Sequence, residues 1–180
     1  MPKIVNILAI SGSLRALSSN TALLLAAAEL APPHVRIRLL QGLHELPMFN
    51  PDLDGREPES VMRLRVQLCD AHAFLIASPE YAHGVSGPLK NALDWVVGSG
   101  EFTNKPTALL NASHRAVQGY SALKATLSVM GAQLVPAASL TVPLARNTIN
   151  TRQILDTPEY ANVIHLATRE LVAATLAGQE

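Results

Sequence analysis

Residues 11–20, SGSLRALSSN, set the hydroxyls of Ser11, Ser13, Ser18 and Ser19, the amide of Asn20 and the guanidinium of Arg15 between an apolar run and an Ala/Leu-rich stretch. One helix cap needs one polar residue. Hydroxyls, an amide and a fixed positive charge together suit an anion. A phosphate monoester, close to a dianion, fits best, because a helix start offers free N–H groups and arginine offers a planar fork. The simpler reading is a Ser/Asn-capped helix with a solvated arginine. No Asp, Glu, His or Cys lies within 11–20 to attack a substrate, so this loop holds rather than reacts.

Other phosphate loops fail in detail. There is no G-x-x-x-x-G-K-[ST], so the lysine and magnesium-binding hydroxyl of a nucleotide triphosphatase are missing. No G-x-G-x-x-G follows the first apolar run, which argues against an extended dinucleotide as the tightly held ligand. A cysteine-dependent phosphatase needs its thiolate inside the loop, whereas Cys69, the single cysteine, lies in a separate helical stretch. GVSGP (84–88) is one residue short of a G-x-S-x-G nucleophile elbow. The six histidines lack a metal-ligand spacing such as H-x-x-x-H, and no metal site is expected.

The elements that must position this loop alternate. Apolar runs at 4–10, 73–77 and 107–112 read as strands, as do the arginine-bearing VRIRLL (35–40) and the proline-containing LVPAASLTV (134–142). Helical patterns separate them: 21–30, then Val61, Leu64 and Leu68 on one face, then Leu89, Ala92, Leu93 and Val96. Tyr120, Leu123, Leu127 and Met130 form the next stripe, with Gly131 placed to end it; the last runs through Tyr160, Ile164, Ala167 and Leu171. Residues 41–58 read as a long loop. Strand–helix alternation implies a parallel sheet with helices on both faces. The second strand, with its arginines, and the fifth, with its proline, belong at the edges. The expected fold is therefore α/β and flavodoxin-like, five parallel strands in the order 2-1-3-4-5, whose switch point lies between strands 1 and 3. Ligands bind beyond the carboxyl ends of those strands, at loops 11–20 and 78–87.

Composition bounds the rest. One domain over 1–180 is expected from 180 residues, and 48% hydrophobic content allows a sizeable core. Net charge is zero and no basic run exists to track phosphates, so no nucleic-acid partner is expected. No apolar segment approaches the ~20 residues of a membrane span, and no signal-peptide pattern opens the chain. A cytoplasmic, membrane-free protein is the expectation, with Cys69 as a small core residue.

SPEYAHGVSGPLKNALDW (78–95), taken with GSLRALSSN, resembles the NADPH-dependent FMN reductase family, which includes flavin, quinone, azo-dye and chromate reductases. LPMFNPDLD (46–54) is similar to that family's loop after strand 2. The resemblance implies a bound FMN with its phosphate on Ser13, Arg15, Ser18 and Asn20. Its ring would lie along Pro79, Glu80, Tyr81 and Ala82, with Ser113 as a further ring contact. SHRAVQGY (113–120) departs from the family, carrying Arg115 and Gln118 where relatives often have glycine and keeping only Gly119. Position 82 is frequently asparagine in relatives, whereas Ala82 offers only its backbone. The family reaction would pass two electrons from NADPH or NADH through FMN to a small-molecule electron acceptor (a quinone, flavin, azo compound or chromate-like oxidant) by a ping-pong mechanism. No protein residue need act as a catalyst, because FMN carries the chemistry.

Several residues have a plainer reading. Glu80 is expected to face solvent or pair locally rather than act as a general acid, and His83 and His114 to be solvated loop histidines near the flavin. Trp95 falls off the core face of its helix and points to a subunit interface; the alternative is packing beneath a neighbouring loop. The resemblance favours a homodimer or homotetramer. The competing function is a flavodoxin-type electron carrier or an FMN-binding redox sensor without turnover. Such carriers tend to be strongly acidic for docking, and this chain is neutral.

Overall fold

The computed structural model describes residues 4–178, so the outermost ends of the expected single unit, 1–3 and 179–180, lie outside the described residues. Strands β1 (Val5–Ser11), β2 (Val35–Leu39), β3 (Ala73–Ala77), β6 (Pro106–Leu109) and β7 (Gln133–Leu134) form a sheet in the order β2-β1-β3-β6-β7, every pairing parallel. That is the expected 2-1-3-4-5 order. A two-stranded antiparallel hairpin, β4 (Glu80–Tyr81) and β5 (Gly84–Val85), stands between the third and fourth core strands.

Side chains alternate across the sheet. Val5, Ile7, Ala9, Ala73, Leu75, Ala77 and Ala108 pack beneath α1 (Ser19–Glu29), α5 (Thr151–Leu155) and α6 (Pro158–Ala177). Leu8, Ile10, Phe74, Ile76 and Leu109 pack on the opposite face beneath α2 (Glu59–Cys69), α3 (Gly87–Val96) and α4 (Gln118–Val129). Burial on both faces is why β1 and β3 read as nearly unbroken apolar runs. Gly131, at φ +75°, ends α4 in the left-handed conformation that its position predicts.

Three expectations are corrected. The fifth strand is not continuous from 134 to 142: pairing stops at Leu134, Pro136–Ala138 form a 3-10 turn, and contact resumes at the Asn111–Thr141 bridge. Pro136 has no N–H for a ladder; across the gap the Leu109 N–H donates to Ser139 Oγ at 3.1 Å. Cys69 is exposed, because Val61, Leu64 and Leu68 occupy the core face of α2. Trp95 is buried beneath the loop that follows β2, where its Nε1 donates to the Pro47 carbonyl at 2.8 Å and Phe49 meets its ring edge-on at 5.2 Å. The alternative given for Trp95 is therefore the right one: its indole N–H needed an acceptor and the folded-back loop supplies it.

Candidate functional site

The switch point is pinned by small polar groups. Ser86, fully buried, donates from Oγ to the Gly12 carbonyl at 2.6 Å and accepts from Ser78 Oγ at 3.3 Å. The Gly12 N–H donates to the Ala77 carbonyl at 2.8 Å. A Cβ on Gly12 would lie 2.4 Å from Ser78 Oγ, so only glycine lets the loops after β1 and β3 approach this closely. Above this contact opens a cleft of about 680 Å³, within the usual size range of small-ligand sites.

The first loop divides its polar groups between structure and cleft. Ser11 faces inward and shares a 2.7 Å hydrogen bond with Thr21. Ser18 is the N-cap of α1, its Oγ accepting the Thr21 N–H at 3.3 Å, and Ser13 Oγ accepts the Arg15 N–H at 3.3 Å. In both, the hydroxyl proton stays free to donate. Ser13, Arg15, Ser18, Ser19 and Asn20 all line the cleft. The helix starts two residues earlier than its Ala/Leu pattern implies, which places the N–H groups of Ser19 and Asn20 in its first turn, without intrahelical acceptors. Asn20 Oδ1 is buried with no hydrogen-bond partner among the described residues. Such an orphan costs about 1–3 kcal/mol unless a ligand completes it.

Pro79, Glu80 and Tyr81 form the floor, and Ser113 lines the wall beyond β6. Thus eight of the nine residues singled out from the sequence share one cleft; the ninth, Ala82, lies at the hairpin tip rather than in its lining. Ala82 and His83 have φ of 48° and 60°, the twist of a type I′ hairpin turn, which asparagine and glycine tolerate better than alanine. Glu80 pairs locally. Its side chain is only 13% exposed, one oxygen accepting the Gly119 N–H at 2.7 Å and the other lying 3.3 Å from His83 Nδ1. This carboxylate sits at the N-terminus of α4, where the helix dipole favours it. It ties the hairpin to the 113–120 loop.

Sequence reasoning singled out neither Asn111 nor any residue of 143–147 as a ligand contact, yet they complete the wall. Asn111 orders it: Oδ1 accepts the Ser113 N–H at 3.1 Å and Nδ2 donates to the Ala116 carbonyl at 3.2 Å. The one signal was an amide closing an otherwise apolar strand. Beside the cleft, burial raises the Tyr120 phenol above its usual range, partly offset by a hydrogen bond with Ser139. Among the described residues, no group of three or more His, Cys, Asp and Glu is placed to hold a metal ion, and no helix is long and apolar enough to cross a membrane.

Known proteins resemble this chain in sequence and in fold. An NAD(P)H-dependent FMN reductase of Pseudomonas aeruginosa is 42% identical over 112 residues, 61% of this chain and 60% of that one. A probable NADPH:quinone oxidoreductase of Oryza sativa is 43% identical over 98 residues, 52% of this chain and 48% of the other. The chain thus spans about half to three-fifths of the length of these curated relatives. Among solved structures, a flavoenzyme NAD(P)H:(acceptor) oxidoreductase of Paracoccus denitrificans superposes with a TM-score of 0.81 at 24% identity, covering 97% of this chain and 99% of its own, a likeness of fold. The sequence pattern described as NADPH-dependent FMN reductase matches residues 5–147, which takes in both cleft-forming loops and the third wall, and the chain belongs to that family.

Proposed function

We propose that the cleft binds FMN and that the protein passes two electrons from NADPH or NADH to a small oxidant such as a quinone. The observation that carries this reading is the convergence of Ser13, Arg15, Ser18 and Asn20 with Pro79, Glu80, Tyr81 and Ser113 on one cleft at the switch point. These residues fit the group. Hydroxyl protons, first-turn N–H groups of α1 and a guanidinium suit a terminal phosphate, and the buried, unpartnered Asn20 Oδ1 is an acceptor that a hydroxyl donor on the ligand would satisfy. When bound, FMN supplies the reversible two-electron chemistry.

The chain's own part is holding and shaping. Arg15 and the first turn of α1 fix the phosphate. Pro79, Glu80 and Tyr81 present backbone along the ring, held in place because Glu80 anchors the hairpin, with Ala82 at its tip, to Gly119. Asn111 fixes the 113–116 backbone that carries Ser113. Reduced nicotinamide and the oxidant would occupy the same space in turn, the first leaving before the second enters, and ping-pong kinetics follow from that. In this reading a second copy covers part of the site in a homodimer or homotetramer. Leu14, Leu17 and Tyr81, exposed by 53, 71 and 53%, are the apolar side chains it would meet.

Anaerobic titration tests the reading. Protein loaded with FMN should lose its yellow colour on adding NADPH or NADH with no partner protein, and regain it on adding a quinone. Colour that persists with both nucleotides favours the carrier or sensor. Failure to retain FMN refutes the reading altogether.

A further inference from the structure

Arg15, Arg115 and Arg146 all open onto the cleft, and the FMN reading employs only Arg15. Arg115 and Arg146 sit on the segments that follow β6 and β7. Those segments are laced together at their base: Asn111 N–H donates to the Leu140 carbonyl at 2.9 Å, Val142 N–H to the Asn111 carbonyl at 2.8 Å, and Leu144 N–H to the Ala112 carbonyl at 3.3 Å. The second segment is also anchored to α6, the Ala145 N–H donating to the Tyr160 hydroxyl at 3.3 Å. Two arginines are thereby carried on adjoining, hydrogen-bonded segments that line the same cleft. In the strand order, β6 and β7 lie two and three places from β1. At ~4.8 Å per strand their segments leave the sheet about 10 and 14 Å from the end of β1, where the Arg15 loop begins.

Both arginines are exposed, and neither has a carboxylate partner among the described residues. The acidic side chain lining the cleft, Glu80, is already engaged by Gly119 and His83. On a chain of zero net charge this leaves a local positive field at the mouth of the site.

We propose that Arg115 and Arg146 form a second anion subsite that takes the 2′-phosphate of NADPH and gives the protein its preference for NADPH over NADH; this rests on the redox reading above. NADPH differs from NADH by one phosphate monoester on the adenosine ribose. Sites that choose NAD set a carboxylate against the ribose 2′-hydroxyl, and sites that choose NADP set an arginine there. Among the described residues, this mouth presents arginines and no free carboxylate. A guanidinium grips phosphate through paired N–H donors, and an exposed position suits a ligand that must enter and leave at every turnover.

The test uses the FMN-loaded protein and its Arg115→Gln, Arg146→Gln and double variants. Calorimetry measures binding of 2′,5′-ADP against 5′-AMP, and kcat/KM is measured for NADPH and NADH with a neutral quinone and, separately, with chromate as acceptor. The wild-type protein should bind 2′,5′-ADP more tightly than 5′-AMP and prefer NADPH. Each variant should reduce both ratios about tenfold, the scale of one charge-assisted hydrogen bond, with the kinetic loss in KM rather than kcat. Unchanged ratios, or equal losses for NADPH and NADH, would overturn the subsite. So would a loss confined to chromate as acceptor, which would assign the arginines to an anionic oxidant instead. In each of those cases yellow protein still bleached by nucleotide leaves the redox reading standing; wild-type protein that takes up no FMN overturns both.

Discussion

Replacing Gly119 by alanine has a sign that separates the described packing from ordinary helix behaviour. Gly119 is the second residue of α4, and glycine to alanine in an exposed helix normally stabilises by about 1 kcal/mol. Here the residue is buried, and the added Cβ would lie 2.8 Å from the Gly84 carbonyl oxygen, 3.0 Å from Glu80 Cγ and 3.2 Å from Glu80 Cβ. The first contact is with backbone, so the hairpin and the start of α4 must separate. Separation lengthens the 2.7 Å bond from the Gly119 N–H to Glu80, a charge-assisted bond contributing about 1.5–3 kcal/mol. Against the propensity gain, the net expectation is a loss of about 1–2 kcal/mol, or roughly 2–8 °C in Tm for a domain of this size. Urea denaturation of the FMN-free protein measures it, and a parallel flavin-fluorescence titration should show weaker FMN binding, because the displaced hairpin carries the proposed ring contacts. A Gly119→Ala variant as stable as wild type, binding FMN equally well, would refute the claim that Glu80 and Gly119 clamp the hairpin.

Two further perturbations address the same cleft. Arg15→Ala should weaken FMN binding by ~1.5–3 kcal/mol with little change in Tm of the FMN-free protein, since Arg15 is exposed; unchanged affinity by fluorescence titration would show that the phosphate lies elsewhere. Ala82→Asn should raise stability by about 0.5–1 kcal/mol, because asparagine bears the +48° φ of the turn with less strain, and a drop in the urea midpoint would contradict the type I′ description.

How much is legible depends on the range of the interaction. Strand character places the edges and the centre in agreement with the 2-1-3-4-5 order: β1 and β3 are apolar on both faces, while Arg36 and Arg38 mark β2 as an edge. Helical periodicity misplaces Trp95 because it describes only the face toward the sheet. It carries no information about a loop more than 40 residues earlier folding over the other side, where Pro47 meets the indole. Residue type alone puts Cys69 in the core, although it stands one position past the last core residue of α2. The break in the fifth strand is half-visible as Pro136, but the use of Ser139 as a substitute for a ladder acceptor is not.

Read alone, the chain determined which residue types crowd the loops after strands 1 and 3, and hence the kind of ligand those loops suit, since capping, turn chemistry and charge act over a few residues. Only the tertiary structure decided that Glu80 closes on Gly119, 39 residues away, that Asn111 organises the third wall, and that Arg115 and Arg146 stand on adjoining segments. Those pairings arise where parallel strands distant in sequence bring their carboxyl ends to one edge of the sheet. Their geometry is set by the packing of the whole core, which no local pattern encodes.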